Sequence, residues 1–206
     1  MKGKYIIIEG GEGCGKTTQA NLLFNWLNEL NIPCYLGREP GGIAPAEDVR
    51  KILKNPEYQI DSISELFGFA FARSLFFEQI VEPNRKKGNH FIADRSGFST
   101  EAYQGYAGGV LLKNIKLINK IAMRNIKPDL GFIIDIDPLI GLKNEIEKDR
   151  FGKKGLKYHQ KVRQGFLDIA NQNQDLCVII SYKENDITSM QTEIRTYVSK
   201  LLKINL

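Results

Sequence analysis

One eight-residue segment near the N-terminus constrains the fold of this chain more than any other feature. The segment Gly10-Gly11-Glu12-Gly13-Cys14-Gly15-Lys16-Thr17 matches G-x-x-x-x-G-K-[ST], the pattern of a loop whose backbone wraps around phosphate groups. An apolar, β-rich run at residues 5–8 precedes it, and helical spacing of apolar residues starts at Thr17. Four constrained positions match a chain of this length by chance with a probability of roughly 1%, before this context is counted. The segment is therefore predicted to be a phosphate-binding loop.

The residue types in this loop suit a nucleoside triphosphate with Mg²⁺ as cofactor. Glycines let backbone N–H groups converge on phosphate oxygens, and the following helix N-terminus adds partial positive charge. Lys16 is predicted to reach the β- and γ-phosphates, and the hydroxyl of Thr17 to ligate Mg²⁺. Cys14 has a small side chain and occupies an unconstrained position of the motif. A packing role is therefore favoured for it over a redox role. The predicted triphosphate site consists of Gly10, Gly11, Glu12, Gly13, Cys14, Gly15, Lys16, Thr17 and Thr18.

The rest of the chain alternates between apolar β-rich runs and longer stretches with helical spacing. The predicted strands are residues 5–8, 34–36, 90–93, 130–136 and 176–180. The predicted helices are residues 17–30, 47–53, 62–87, 113–126, 156–170 and 187–202. Continuous apolar strands are typical of a parallel sheet that is covered on both faces. We therefore predict a three-layer α/β fold of the P-loop NTPase class, with five parallel strands flanked by helices, in one domain over residues 1–206.

Two stretches depart from this pattern. Residues 104–109 contain three glycines, and residues 145–155 are dense in charge with two glycines. Both are predicted to be mobile loops beside a site.

Composition narrows the class of protein. With 42% hydrophobic residues among 206, the chain can bury one sizeable core. Neither an apolar run of about 18 residues nor a signal-peptide core is found, so we expect a cytosolic protein with no membrane partner. The three cysteines are widely spaced, which predicts neither a disulfide nor zinc. A net charge of +5 suits an anionic partner such as a nucleotide, without requiring a nucleic acid.

A GTPase would carry a guanine-reading N-K-x-D segment. The nearest segment is Asn119-Lys120-Ile121-Ala122, which lacks the aspartate and lies in a predicted helix. A GTPase is therefore disfavoured.

The chain resembles bacterial thymidylate kinases over nearly its full length. The similar segments, in order, are Ile8-Glu9-Gly10-Gly11-Glu12-Gly13, Arg38-Glu39-Pro40-Gly41-Gly42, Asp94-Arg95-Ser96, Ala102-Tyr103-Gln104-Gly105, Lys127-Pro128-Asp129-Leu130 and Asp135-Ile136-Asp137-Pro138. The resemblance implies ATP-dependent phosphorylation of dTMP to dTDP in dTTP biosynthesis, a homodimer, and a short lid near residues 145–155 that closes over ATP.

The resemblance also implies an acceptor site. Phe69 and Arg73 lie one helical turn apart and share a face, with Phe69 stacking on thymine and Arg73 hydrogen-bonding its edge. Tyr103 is expected to pack on the deoxyribose, and Glu12 to meet the 3′-hydroxyl. The implied dTMP-binding residues are Glu12, Glu39, Arg50, Phe69, Arg73, Arg95, Thr100, Tyr103 and Gln104.

The predicted catalytic residues are Lys16, Asp94, Arg95 and Arg150. Asp94-Arg95 follows a buried strand, where open α/β folds place their ligands, and Asp94 joins Thr17 at the Mg²⁺ site. The resemblance assigns Arg150 to the lid, because Cys14 stands where other members carry an arginine in the phosphate loop.

Two departures from the family pattern keep alternatives open. Ser96 stands where tyrosine or histidine is common, and Asp-Arg-Ser is also similar to deoxynucleoside kinases. Asn144 stands where an arginine is common, which together with the short lid is compatible with a degenerate nucleotide-binding regulator. The alternatives are thus a kinase for another deoxynucleotide or a deoxynucleoside, and a slow regulator.

Overall fold

Five parallel strands form the centre of the molecule. The computed structural model describes residues 2–145 and 149–204. Its strands are β1 (Tyr5–Gly10), β2 (Cys34–Arg38), β3 (His90–Asp94), β4 (Leu130–Asp135) and β5 (Cys177–Ser181). They pair in the order β2-β3-β1-β4-β5, and every pairing is parallel. The predicted five-stranded parallel α/β fold is confirmed.

Helices cover both faces of this sheet. They are α1 (Lys16–Glu29), α2 (Ala44–Lys54), α3 (Ser62–Phe76), α4 (Glu82–Lys86), α5 (Gly97–Thr100), α6 (Leu112–Ala122), α7 (Pro138–Asn144), α8 (Leu156–Gln172) and α9 (Ile187–Leu202). A π-helical turn, Phe77–Val81, joins α3 to α4, so the predicted helix at residues 62–87 is continuous. Helices α5 and α7 are short and were not predicted from the spacing.

The prediction of a loop at residues 104–109 is wrong for residues 104–107. A π-helical segment, Glu101–Ala107, continues α5, and both Tyr103 and Gln104 are buried in it. Glycine signalled a loop, but a Cβ atom at Gly105 would lie 2.5 Å from Leu112 Cδ2, so this glycine permits close helix packing. Insertion of an extra residue into a helical turn is common at functional sites.

Strand β1 divides its side chains between two apolar cores. Ile6 and Ile8 face α1 and α9, whereas Tyr5 and Ile7 pack with the aromatic residues of the α3–α4 run. All four side chains are fully buried. This double burial explains why the strand has a continuous apolar sequence.

The strand order fixes where a ligand binds. The chain runs to opposite sides of β1, because its neighbours are β3 and β4. Loops that leave the carboxyl ends of β1 and β3 therefore diverge and open a crevice at that edge of the sheet. Within residues 2–145 and 149–204, no helix is long and apolar enough to cross a membrane.

Candidate active site

The phosphate loop connects β1 to α1. Gly13 and Gly15 have φ angles of 62° and 83°, in the left-handed region that favours glycine. A Cβ atom at Gly13 would lie 2.0 Å from the carbonyl oxygen of Gly141 on α7, so only glycine fits there. The buried Lys16 donates a hydrogen bond of 2.9 Å from Nζ to the carbonyl oxygen of Gly11, which holds the ammonium group over the loop. Thr18 is exposed in the first turn of α1.

Thr17 and Asp94, the two residues predicted to hold Mg²⁺, are in direct contact. The hydroxyl of Thr17 donates a hydrogen bond of 2.5 Å to Asp94 Oδ2. Asp94 Oδ1 is buried and has no hydrogen-bond partner within the described residues. A hydroxyl oxygen beside an unpaired carboxylate oxygen is the hard-donor set that Mg²⁺ prefers, so these residues fit the ion.

Glu12 joins the phosphate loop to two other elements. Its carboxylate accepts hydrogen bonds of 2.9 Å from Arg95 Nη2 and 2.7 Å from the hydroxyl of Tyr103, and Lys16 Nζ lies 3.9 Å away. Burial alone would raise the pKa of Glu12, but the Arg95 and Lys16 cations and the Tyr103 hydroxyl hold this pKa well below its ordinary value. Glu12 is thus a fixed anion within the phosphate loop.

Sequence reasoning missed Glu9, the last residue before the motif. Its side chain is fully buried and accepts four hydrogen bonds of 2.6 to 3.1 Å, from the backbone N–H and the hydroxyl of both Ser96 and Ser99. Burial raises the pKa of Glu9. Ser96, the departure from the family pattern, therefore anchors the turn that carries Asp94 and Arg95. A charged residue inside an apolar strand was the available signal.

Glu39 and Arg73 form a buried ion pair, each about 2% exposed in its side chain, with 2.6 Å between Glu39 Oε2 and Arg73 Nε. Arg73 also donates to Thr100, to Asn119 and to the carbonyl oxygen of Ser96. Burial raises the pKa of Glu39 to about 6, although the Arg73 cation opposes the rise. Glu39 Oε1 has no hydrogen-bond partner within the described residues.

A pocket of about 540 Å³, open to solvent, lies beside the phosphate loop. The structure brings together all nine residues that the resemblance assigned to the acceptor. The pocket walls include Glu12, Glu39, Arg50, Phe69, Arg73, Arg95, Thr100, Tyr103 and Gln104. Lys54, Asp149 and Phe151, which the sequence did not single out, also line it.

The structure does not bring Arg150 to the phosphate loop. Its guanidinium donates to Glu65 Oε1 at 2.6 Å and to the carbonyl oxygens of Leu53 and Ile60. Arg150 is 7% exposed, and Phe151 packs against it with 4.6 Å between the guanidinium carbon and the ring centroid. The catalytic role of Arg150 stays a prediction. Residues 146–148 of the predicted lid, including Lys148, lie outside the described residues.

Glu65 is a second buried acid that sequence reasoning missed. It is fully buried on α3 and binds Arg150, Lys154 and Gln104. Its spacing was a usable signal, because Glu65, Phe69 and Arg73 recur every four residues along one face of α3.

Asn144 contacts the phosphate loop from the end of α7. Its side-chain nitrogen donates to the carbonyl oxygen of Gly13 at 3.0 Å and to the hydroxyl of Tyr182 at 3.2 Å. Where an arginine is common in the family, this chain therefore has a short side chain that fastens α7 and the segment after β5 to the loop.

The sheet with strand order β2-β3-β1-β4-β5 carries a phosphate loop, a paired Thr17 and Asp94, and an arginine-lined pocket. These features define the class of P-loop kinases, transferases that move a phosphoryl group between nucleotides. Comparison with known proteins narrows the class. The thymidylate kinase family model matches residues 8–194, and the chain belongs to the thymidylate kinase family of nucleoside monophosphate kinases.

Individual relatives agree over nearly whole chains. A thymidylate kinase of Dehalococcoides mccartyi is 37% identical over 205 residues, which cover 97% of this chain and 98% of the relative. A thymidylate kinase of Carboxydothermus hydrogenoformans is 40% identical over 84% of this chain and 87% of its own. The crystal structure of thymidylate kinase from Ehrlichia chaffeensis superposes with a TM-score of 0.78 and 33% identity, and covers 96% of this chain and 99% of that one.

The buried pair makes a testable prediction about stability. Arg73→Met leaves Glu39 buried without its cation, and removing one partner of such a pair costs about 3–5 kcal/mol. Because Glu39 has a pKa of about 6 even beside Arg73, loss of the cation raises this pKa further. Below the raised pKa of the variant, Glu39 is protonated and neutral. The unfolding free energy that Arg73→Met loses relative to the wild type should therefore be smaller at pH 5 and grow as the pH rises to 8. Urea denaturation at several pH values measures this.

The double variant Glu39→Gln/Arg73→Met is the control. It loses the same hydrogen bonds to Ser96, Thr100 and Asn119 but retains no ionisable group of the pair. Because the wild type itself loses stability as Glu39 ionises, the deficit of the double variant should not grow between pH 5 and pH 8. A deficit of Arg73→Met that also fails to grow would contradict the assignment.

Proposed function

We propose that this chain transfers the γ-phosphoryl group of ATP to dTMP, giving ADP and dTDP for dTTP synthesis. One observation supports the proposal most directly: all nine residues expected at the acceptor line one pocket. Two of them connect this pocket to the phosphate loop, because Glu12 belongs to the loop and Arg95 donates a hydrogen bond to the carbonyl oxygen of Gly10. The donor and acceptor phosphates would therefore meet beside the guanidinium of Arg95. ATP and dTMP are cytosolic metabolites, so the cytosol is the compartment that we propose.

The reaction requires alignment and positive charge more than covalent chemistry. The loop N–H groups and Lys16 would hold the donor phosphates, and Arg95 would lie between donor and acceptor. Mg²⁺, held by Thr17 and Asp94, would neutralise charge on the β- and γ-phosphates. An oxygen of the acceptor monophosphate attacks the γ-phosphorus, and the bond to the β–γ bridging oxygen breaks. The attacking oxygen is already anionic, so no general base is needed.

Charge pairing in the pocket supports a role for Arg50 at the acceptor phosphate. Arg95 is paired with Glu12, Arg73 with Glu39, and Lys54 with Asp149 at 2.7 Å. Arg50 donates to the carbonyl oxygen of Pro40 and has no carboxylate partner within the described part of the chain. Burial and the nearby cations Arg38 and Arg95 lower the pKa of Arg50. A dianionic phosphate would relieve this repulsion and suit the planar guanidinium.

An acceptor panel tests the proposal. In a coupled assay of ADP release, kcat/KM should be higher for dTMP than for dCMP, dAMP or thymidine, because the pocket has cations for a phosphate and polar groups for a base. If unphosphorylated thymidine were the best acceptor, the deoxynucleoside kinase alternative would replace this one. If no acceptor gave turnover, the chain would be a nucleotide-binding regulator.

Arg150 supplies a second test, since it must exchange Glu65 for phosphoryl oxygens to act in transfer. Arg150→Ala should then lower kcat and kcat/KM together by at least about 100-fold, while the equilibrium Kd for ATP changes little. Arg150→Lys should restore only part of the rate, because an ammonium group cannot bind two oxygens as a guanidinium does. A wild-type kcat in Arg150→Ala would contradict the catalytic role.

We also propose a homodimer. Ile63, Phe67 and Phe71 lie four residues apart on one face of α3, and Leu117 and Ile121 lie four apart on the neighbouring α6. All five side chains are more than half exposed. An apolar face of this extent is typical of an interface between subunits, and a second copy of the chain is the partner that the resemblance implies.

Light scattering tests the dimer. The wild type should have the mass of two 23.4-kDa chains, and Phe67→Asp should have the mass of one, because it buries a charge at the interface. Leu139→Asp, on α7, is the control, since Leu139 is equally apolar and 53% exposed. A wild type with the mass of a single chain would contradict the proposal.

A further inference from the structure

Glu65 lies behind the acceptor pocket and does not line it. All three of its side-chain contacts come from donors. Oε1 accepts from Arg150 Nη1 at 2.6 Å and from Lys154 Nζ at 2.7 Å, and Oε2 accepts from Gln104 Nε2 at 2.7 Å. The side chain is fully buried, so water cannot substitute for these contacts. Gln104, in contrast, does line the pocket.

The amide of a glutamine has a donor end and an acceptor end, and its orientation decides which end a ligand meets. A carboxylate offers only acceptor oxygens, so Gln104 must turn Nε2 toward Glu65. Within the described residues, no hydrogen bond reaches Gln104 Oε1. The amide oxygen is therefore the group that remains for a bound base.

Arg73 supplies the complementary donor. A guanidinium has five N–H groups, and four of those of Arg73 are used by Glu39, Thr100, Asn119 and the carbonyl oxygen of Ser96. The remaining N–H is on Nη2. The pocket thus offers a base one N–H donor from α3 and one carbonyl acceptor from the π-helical segment.

We propose that Glu65 is a positioning residue that fixes the direction of the Gln104 amide, so that the pocket accepts a pyrimidine presenting a carbonyl next to a ring N–H and rejects cytosine. Thymine presents O4 as an acceptor and N3–H as a donor. Cytosine presents the reverse, an exocyclic amine beside an N3 lone pair, which would face Arg73 and Gln104 donor to donor and acceptor to acceptor. Unpaired polar groups in a buried site cost far more than a missing apolar contact.

This inference rests on the proposed acceptor and extends it to a residue that does not line the pocket. It also makes dUMP a useful probe, since uracil shares the O4 and N3–H edge of thymine. Glu65 should therefore not distinguish dUMP from dTMP, whereas it should distinguish both from dCMP.

Glu65→Gln is the informative substitution. Arg150 and Lys154 would hold the oxygen end of the new amide, so its NH₂ end would face Gln104 and donate to Oε1. The Gln104 amide would then turn its own NH₂ toward the pocket, where it suits the N3 lone pair of cytosine. We expect the ratio of kcat/KM for dTMP to that for dCMP to fall by at least about tenfold, with dUMP falling alongside dTMP and the Kd for ATP unchanged.

Glu101→Gln is the matched control. Glu101 is a buried acid on the same π-helical segment, near Lys116 instead of Gln104, and its substitution should leave the ratio unchanged. In a Gln104→Leu background, Glu65→Gln should cause no further change in the ratio, because the residue through which it acts is gone.

The outcomes separate this inference from the proposed function. If the wild type does not prefer dTMP, the proposed acceptor is wrong. If the wild type prefers dTMP but Glu65→Gln lowers kcat/KM equally for all acceptors, Glu65 only supports the fold and the inference is overturned. If Glu65→Gln does not fold, Gln104→Met decides the matter, since an unchanged dTMP to dCMP ratio there would also overturn it.

Discussion

The ion pair between Arg95 and Glu12 ties together the elements that form the site. Arg95 follows β3 and donates to Glu12 and to the carbonyl oxygen of Gly10, while Tyr103 donates to Glu12 from the π-helical segment. Arg95 has a φ angle of 74°, a conformation that costs a non-glycine residue about 1–3 kcal/mol. Glu9 holds the turn on the other side through Ser96 and Ser99. The phosphate loop and the neighbouring pocket are thereby kept at a fixed separation.

Buried ion pairs of this kind are weak evidence for stability. Apolar residues of similar volume often replace such a pair at no cost, because desolvation offsets the attraction between the charges. What the pairs of Arg73 with Glu39 and of Arg150 with Glu65 provide is direction, since each guanidinium presents its N–H groups in a fixed plane. The orientation of these N–H groups decides which hydrogen bonds the pocket can offer to a ligand. We therefore interpret the buried ion pairs as contacts that orient the polar side chains around them.

The sequence was informative where local chemistry decides the structure. The strands were predicted because a sheet covered on both faces requires unbroken apolar runs, and the phosphate loop because its glycines have few substitutes. Residues 104–107 were misjudged because the π-helical segment depends on packing against α6 and α8, which no local period records.

The buried acids escaped prediction for a different reason. Glu9 binds Ser96, 87 positions away, and Glu65 binds Arg150, 85 positions away, so each looks like an ordinary charged residue until the fold joins it to its partner. The nine residues that the resemblance assigned to the acceptor line one pocket, but the resemblance did not supply the residues behind that lining. These residues determine how the lining side chains are oriented.

Glu65 binds two cations, and this makes the contact between Arg150 and Glu65 compatible with the predicted catalytic role of Arg150. Both Arg150 and Lys154 bind the same oxygen, Oε1, and neither occupies Oε2, which binds Gln104. One cation is enough to hold Oε1 in place, so Lys154 could keep Glu65 and Gln104 oriented after Arg150 had left. Lys154 also lies over the rings of Phe151 and Tyr158, at 5.0 Å and 4.8 Å, and Tyr158 makes no such contact with Arg150 within the described residues. If Arg150 left Glu65 during phosphoryl transfer, the hydrogen bonds to the base would then stay in place. Arg150 would act in catalysis, and Lys154 would preserve the selectivity for the base.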